Sequence, residues 1–227
     1  MNILAIDTSQ DVLSLALSSP GGIFQTEIHA GTRHSELLME WVDRLICSAG
    51  LKPEDLELAA CMKGPGAFTG LRIGYAAAKG LSFALGIPFA AVPTLDCMAL
   101  PHSVWPGIVL AVMDAKKNCF FTAFYRGRER LSEYMDADIN TIQSVYGNLK
   151  TPKDVPLLLT GSGAELFISR NTKGPLFPSV ILDPFYFRGR SMEMLQLLKD
   201  DDMIKYIEGE SSAPLYLRKS DAELSLN

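Results

Sequence analysis

The sequence predicts an α/β fold built from two similar halves, each with a mixed sheet. Three observations predict it. Short apolar runs and amphipathic helical segments follow one another in the order β-β-β-α-β-α-β over the first 95 or so residues. A hairpin entered through an aspartate, "LAIDTSQDVLSLAL", returns later as "AVMDAKKNCFFTAF", which sets Asp7 against Asp114 and Val12 against Cys119. Between strand and helix lies the glycine-rich stretch "GPGAFTGLRIG", Gly64 to Gly74. The echo admits two readings, a duplicated fold or two unrelated hairpins that share an aspartate turn.

The elements follow in order. Ile3 to Ile6 is an apolar run that ends at Asp7-Thr8-Ser9. Val12 to Ser18 alternates, and "GIFQTEIHA" follows the Pro20-Gly21-Gly22 turn, so a three-stranded antiparallel meander is expected. In "SELLMEWVDRLICSAG", Leu37, Leu38, Trp41, Val42, Leu45, Ile46 and Ala49 recur at helical spacing and Gly50 closes the segment. "LELAACM" reads as a strand, Leu71 to Leu85 as a second helix, and "IPFAAV" as a further strand. A Pro-flanked bend from Pro101 to Pro106 opens the second half, and "GIVLAVMDAKKNCFFTAFY" gives strand, Asp turn and strand. Then come a helix near Asp138 to Gly147, the strand "VPLLLTG", a turn at Gly161-Ser162-Gly163, a short helix, a strand near Val180 and a helix near Ser191 to Leu198. The halves are expected to be residues 1–103 and 104–227, with the tail "APLYLRKSDAELSLN" partly ordered.

Composition narrows the function classes. Of 227 residues, 48% are hydrophobic and 21% charged, which supports a packed core and argues against disorder. A formal net charge of −5 is wrong for a protein that binds nucleic acid unaided, since that binding rests on Lys and Arg against phosphates. A nucleic-acid role would need a partner or a local patch. "YRGRER", Tyr125 to Arg130, is the one dense basic cluster, and it reads either as such a patch or as a solvated hairpin tip. Cys47, Cys61, Cys97 and Cys119 lie far apart with no Cys-x-x-Cys pair, and read as buried thiols of a reducing compartment. "MNILAIDTS" has neither a basic leader nor a long apolar run, so a cytoplasmic protein without a membrane span is expected.

The glycine stretch raises the question of what comes close to it. A phosphate loop needs Gly-x-x-x-x-Gly-Lys-Ser/Thr, and no Lys-Ser or Lys-Thr follows. A dinucleotide turn needs Gly-x-Gly-x-x-Gly, but Gly64-x-Gly66-x-x-x-Gly70 is one residue too long, and "IPFAAV" lacks the acid expected farther on. Gly70, Gly74, Ala78 and Ser82 fall four apart and form one ridge of small residues. Glycine inside a helix costs about 1 kcal/mol relative to alanine, which a close neighbouring backbone would justify. The other side carries Ile73, Ala76, Gly80 and Phe83, so the helix is expected to be covered twice, by its own sheet and by a second helix of this chain or of another subunit. His29, His34 and His102 show no metal-ligand spacing, which removes the chemical basis of a metallopeptidase.

"ILAIDTS", "RHSELL", "GPGAFTGLRIG" with "AAKGL", "VMDAKKN" and "PLYLR" occur in that order, and together the chain resembles the bacterial TsaB (YeaZ) family. The resemblance spans the chain, strongest over residues 3–95 and loose from about 130 to 210. It implies the actin/Hsp70/sugar-kinase fold with two similar subdomains, in agreement with the Asp7/Asp114 echo. It also implies a non-catalytic subunit of the complex that transfers a threonylcarbamoyl group to N6 of the adenosine next to the anticodon in tRNA. The implied partners are a metal-carrying catalytic paralogue, TsaD, an ATPase subunit, TsaE, and a second copy when the chain is alone, with tRNA met only through the complex. The two helices would make the contact, through Arg33, His34, Glu36, Leu37, Leu38, Trp41 and Leu45 on one and Gly70, Leu71, Gly74, Ala78 and Leu81 on the other. Thr32 or Ser35 is expected to cap the first of them. In the implied fold, aspartate hairpins and a glycine turn hold a nucleotide, and Asp7, Thr8, Ser9, Asp114, Gly161 and Gly163 stand at the matching places. The first loop lacks the glycine needed for close phosphate approach and Lys116-Lys117 fill the second, so the site reads as degenerate, with weak nucleotide binding left open and no other cofactor or metal expected. Asp7-Thr8-Ser9 can also be a self-bonded turn. The rival functions are an actin-like-fold ATPase or small-molecule kinase and, behind it, the metallopeptidase.

Overall fold

Alternation along the first hairpin decides how the first sheet faces. The structure, a computed structural model, describes residues 1–150, 155–170, 177, 179–200 and 203–218. Strands β1 (Ile3–Asp7) and β2 (Val12–Ser19) pair antiparallel, with Ile6 opposite Leu15 and Asp7 opposite Ser14. Successive side chains point to opposite faces. Leu4, Ile6, Leu13, Leu15 and Leu17 therefore share an apolar face, while Asp7 and Ser14 point the other way. β3 (Gly22–His29) completes the meander. After helix α1 (His34–Ser48), strand β4 (Leu58–Gly64) lies parallel to β1; after helix α2 (Phe68–Leu85), strand β5 (Phe89–Pro93) lies parallel to β4. The sheet runs β3-β2-β1-β4-β5.

Both helices cover the apolar face. Leu38, Val42, Leu45 and Ile46 of α1 and Tyr75 and Ala78 of α2 join the strand leucines in one buried cluster. Gly50 closes α1 at φ 69, where a glycine is favoured because the left-handed region suits it best. A short helix, α3 (Thr94–Ala99), follows β5; its "TLDCMA" carries no helical period long enough to announce it.

The second unit repeats the plan. β6 (Ile108–Asp114) and β7 (Phe120–Arg126) pair antiparallel with Asp114 opposite Phe120, and the short strands β8 (Glu129–Arg130) and β9 (Met135–Ala137) pair with β7. Helix α4 (Ile139–Asn148) starts at Asp138, whose carboxylate accepts from the Thr141 N–H at 2.8 Å. β10 (Leu157–Thr160), helix α5 (Ala164–Arg170) and β11 (Val180–Leu182) follow, with β10 parallel to both β6 and β11. The order β11-β10-β6-β7-β8 matches β5-β4-β1-β2-β3 strand for strand. This doubled α/β arrangement is the fold that the resemblance implies. Phe120, Phe124, Ile142, Tyr146 and Phe167 fill the second core.

Compact packing groups Met1–Cys97 with Arg188–Pro214, and Met98–Phe187 with the segment from Leu215. The first unit thus takes in a returning segment that a division at 103/104 assigns to the other half. Helix α6 (Ser191–Asp200) in that segment covers the second face of the first sheet, where Ser191 Oγ lies 2.7 Å from Ser14 Oγ. Beyond it Ile207 bridges Ala90, and the Glu208 N–H donates to the Phe89 carbonyl at 2.9 Å, so the edge of β5 is covered. Residues 219–227 of the expected partly ordered tail lie outside the described residues. Cys61 and Cys97 are buried, but Cys47 is exposed and Cys119 half-buried, because Cys47 falls on the outer side of α1 and Cys119 in the turn just before β7. Among the described residues no helix is long and apolar enough to cross a membrane.

Candidate partner face and the two aspartate turns

The ridge of small residues on α2 points inward. A Cβ on Gly70 would overlap the carbonyl oxygen of Thr8, and one on Gly74 would overlap Thr8 Oγ1. Thr8 Oγ1 donates to the Gly70 carbonyl at 2.7 Å, and Ala78 is fully buried. The Ala67 N–H donates to the Ser9 carbonyl at 2.8 Å, which draws the start of α2 across the end of β1. The chain's own Thr8, just past β1, therefore fills this side, with its backbone at Gly70 and its side chain at Gly74, and the expectation of a partner helix at Gly70, Gly74 and Ala78 is corrected. Small residues at helical spacing report that a backbone is near, and carry no information on whose it is.

The rest of the expected contact set divides by burial. His34, Leu38, Leu45 and Leu71 are buried in the first unit and cannot meet a partner as they stand. Leu37, Trp41 and Leu81 are half-buried, and Arg33 and Glu36 are exposed. α1 begins at His34 with Arg33 at its cap and no side chain bonded there, so neither Thr32 nor Ser35 caps it; Ser35 already lies inside the first turn.

The outward side of α2 holds a second small-residue stripe. Arg72, Ala76, Gly80, Phe83 and Ala84 are exposed, and Phe83 is 88% exposed. A Cβ on Gly80 would meet nothing within 4 Å. A mid-helix glycine costs about 1 kcal/mol relative to alanine, and among the described residues no neighbour lies close enough to account for this one. α1 packs beside α2 and adds Glu36, Met39, Glu40 and Asp43 to the exposed side, with Met39 50% exposed. Ala76, Gly80 and Ala84 were as legible in the sequence as the inward ridge, and the same four-residue spacing finds them. Lys79, the other polar interruption of the helix, is tied down: its ammonium donates to the carbonyls of Glu210 and Ser212 at 2.5 and 3.2 Å.

At the end of β1, the Asp7 carboxylate is fully buried. Oδ1 accepts from the Ser9 N–H at 2.9 Å and the Ser9 hydroxyl at 2.6 Å, and Oδ2 accepts from the Arg190 N–H at 2.8 Å. Burial outweighs these bonds and pushes the carboxyl above its usual value. Thr8 and Ser9 are buried beside it, so Asp7-Thr8-Ser9 is a self-bonded turn. At the end of β6, Asp114 is half-buried. Its Oδ1 accepts from the Lys116 N–H at 2.8 Å and its Oδ2 from the Lys116 ammonium at 2.7 Å. Although partial burial opposes it, these contacts hold the carboxyl below its usual value. Gly161 (φ 99) and Gly163 lie against β6: a Cβ on Gly161 would overlap the Val112 carbonyl, and one on Gly163 would lie 2.8 Å from the Asp114 nitrogen. Each carboxylate thus engages donors of its own unit. At the far end of the hairpin, Arg130 of the basic cluster stacks over Tyr134 at 3.9 Å. Among the described residues, no three His, Cys, Asp or Glu side chains gather where they could hold a metal.

The chain was compared with known proteins. Residues 9–223 match the family model described as TsaD, tRNA N6-adenosine threonylcarbamoyltransferase. The tRNA threonylcarbamoyladenosine biosynthesis protein TsaB of Bacillus subtilis is 32% identical over 167 residues, 73% of each chain. A Thermus thermophilus tRNA N6-adenosine threonylcarbamoyltransferase is 33% identical over 150 residues, 58% of this chain but 46% of its own length. Among solved structures, YeaZ from Pseudomonas aeruginosa superposes with a TM-score of 0.73 at 24% identity, over 95% of this chain and 99% of its own, which shows the shared fold. With the doubled fold, the ordered motifs and a relative of this similarity over most of both lengths, the chain belongs to the TsaB (YeaZ) family.

Proposed function

We propose that this chain is the non-catalytic partner subunit of the complex that places a threonylcarbamoyl group on N6 of the adenosine next to the anticodon in tRNA. The observation that carries the reading is the outward stripe of α2, with Gly80 open and Phe83 88% exposed. Water gives no reason for a mid-helix glycine beside a bare phenylalanine, whereas a partner helix lying across Ala76, Gly80 and Ala84 gives a reason for both. The partner is the catalytic paralogue TsaD, as the match to the transferase family model supports. An ATPase subunit, TsaE, joins the pair, and tRNA reaches this chain only through the assembly, in the cytoplasm. When alone, the chain pairs with itself through the same face, since exposed apolar area is unfavourable in water by ~25 cal/mol per Å².

The Asp7 turn supports the non-catalytic part. Both carboxylate oxygens engage buried donors, and Lys116 stands over Asp114. Reconstitution tests the reading. The chain alone is expected to turn over neither ATP nor peptide, and to be required for transfer by the catalytic paralogue. Phe83→Glu is expected to abolish that requirement's fulfilment while leaving the thermal midpoint unchanged. Robust ATP turnover by the chain alone, lost in Asp7→Ala, would instead establish an actin-like-fold ATPase or kinase.

A further inference from the structure

Helix α2 lies between two flanks, and the sheet order says what they are. α1 packs on β2 and β3, whereas α2 packs on β1, β4 and β5, so α2 stands nearer the β5 edge of the sheet. At about 100° per residue, Ile73, Ala77 and Leu81 lie to one side of the Ala76-Gly80-Ala84 stripe, where they pack against the cluster shared with α1. Lys79 lies to the other side, about 40° beyond Phe83. Tyr75 belongs to that side too, and meets Phe89 of β5 edge to face at 4.9 Å.

Beyond β5 the chain returns as residues 208–212, in the same unit as α2, and this segment is pinned at both ends. At its start, the Glu208 N–H donates to the Phe89 carbonyl at 2.9 Å, and the Lys63 ammonium donates to Glu208 Oε1 at 2.5 Å. At its close, the Ser212 N–H donates to the Gly209 carbonyl at 3.1 Å, which makes a tight turn with Glu210 and Ser211 at its centre. The two carbonyls that Lys79 meets, those of Glu210 and Ser212, belong to this turn, so the ammonium holds the turn against α2. A surface lysine ordinarily keeps its ammonium in water and its long side chain free. Here that freedom is given up to main-chain carbonyls, and the turn so fixed is exposed over residues 209–211.

We propose that the turn of residues 209–212 is the second flank of the docking face, touched by the paralogue's helix together with Phe83, and that Lys79 is a positioning residue that holds the turn in place. The proposal rests on the reading of α2 as the helix on which the catalytic paralogue docks. A helix is about 10 Å wide with its side chains, and packs with its axis about 8–10 Å from that of its neighbour. One that lies on the exposed stripe therefore overruns it, and meets α1 on one side and the turn on the other. A turn fixed beforehand has little freedom left to lose when it is touched.

The test is titration calorimetry of the complete chain against the purified paralogue, with the thermal midpoint of each variant measured beside it. Ser211→Trp adds bulk at the exposed centre of the turn, and is expected to weaken binding about tenfold with the midpoint unchanged. Lys79→Met keeps an unbranched side chain but loses the donors, and is expected to weaken binding about threefold to fivefold. Lys79→Arg supplies donors again and is expected to restore affinity to within about twofold of the wild-type chain. Phe83→Glu separates the two claims. If Phe83→Glu weakens binding while Ser211→Trp and Lys79→Met bind as the wild-type chain does, the proposal is overturned and the docking face stands. If Phe83→Glu also binds unchanged, the docking face itself is overturned, and the proposal with it. A lowered midpoint in Lys79→Met with affinity retained would mark the lysine as a structural tie and overturn its positioning role.

Discussion

At the end of β1, Asp7 is fully buried and held by Ser9 and by the Arg190 N–H from a segment 183 residues away; at the matching end of β6, Asp114 is half-buried and held by Lys116 two residues on. The same contrast runs through the covering helices. α1 and α2 have 15 and 18 residues, whereas their counterparts α4 and α5 have 10 and 7. One packing problem, a mixed sheet with an apolar face to cover, repeats in both units and yields the same topology. The chemistry at the strand ends and the outer sides of the helices is not set by that problem and has diverged. The first unit has an exposed small-residue stripe on α2 beside Phe83, and the second has a turn of three successive non-glycine residues at positive φ.

Removing the two aspartates is the harshest test of this contrast. Asp7→Ala strips the partners from three buried donors and is expected to cost about 3 kcal/mol, lowering the thermal midpoint by several degrees. Asp114→Ala loses an ion pair to a largely exposed lysine and is expected to cost under about 1 kcal/mol. Calorimetry of both variants decides it, and equal losses would break the comparison. Two alanines on one helix sharpen it further. Gly70→Ala forces a Cβ into the Thr8 carbonyl and is expected to destabilise by about 1–3 kcal/mol. Gly80→Ala meets nothing and is expected to stabilise the isolated chain by up to about 1 kcal/mol. Chemical denaturation should return opposite signs.

Acid should separate the units more gently. In the second unit, Asp183 accepts from Thr160 Oγ1 at 2.7 Å and the Phe185 N–H at 2.9 Å and pairs with His102 Nε2 at 3.1 Å. Burial alone would raise its carboxyl, but these contacts prevail and hold it well below 3.8. A lowered folded value means that Asp183 stabilises fully above the unfolded value of 3.8 and that this is lost as the pH falls through its own value. Asp7 is raised, so its burial lowers stability as the pH climbs from 3.8 through the folded value and weighs nothing below 3.8. Trp41 lies in the first unit and Trp105 in the second, so single-tryptophan variants report each separately. From pH 5 to pH 3 the Trp105 signal is expected to show the steeper loss, and Asp183→Asn to flatten it. Parallel slopes would erase the distinction.

Much of this was legible in the chain. The meander, α1, α2 and the strands around them follow from periods of two and 3.6 over long enough runs, whereas the Asp7/Asp114 echo leaves duplication open beside two unrelated hairpins until the matching strand orders decide for duplication. Short elements such as α3, β8 and β9 were not, because a few residues define no period. The return of Arg188–Pro214 to the first unit is made by contacts of long span, such as the Arg190 N–H on Asp7 and Ser191 on Ser14, and no local pattern encodes them. The sequence singles out α1 and α2, but two small-residue stripes run along α2, and only burial tells which of them the chain's own Thr8 already fills. Lys116 and Lys117 were visible as a departure from a phosphate loop; their left-handed backbone was not, since neither residue type favours it.

The central claim is that the outer side of α2 is where the catalytic paralogue docks. Its most direct test is the affinity of Gly80→Leu for the purified paralogue, by titration calorimetry beside the wild-type chain. Leucine improves helix propensity and has open space in the free chain, so the thermal midpoint is expected to hold or rise. Overpacking a close helix contact costs ~1–3 kcal/mol, so affinity is expected to fall about tenfold or more. A variant that binds the paralogue as tightly as the wild-type chain would contradict the account and move the docking surface away from α2.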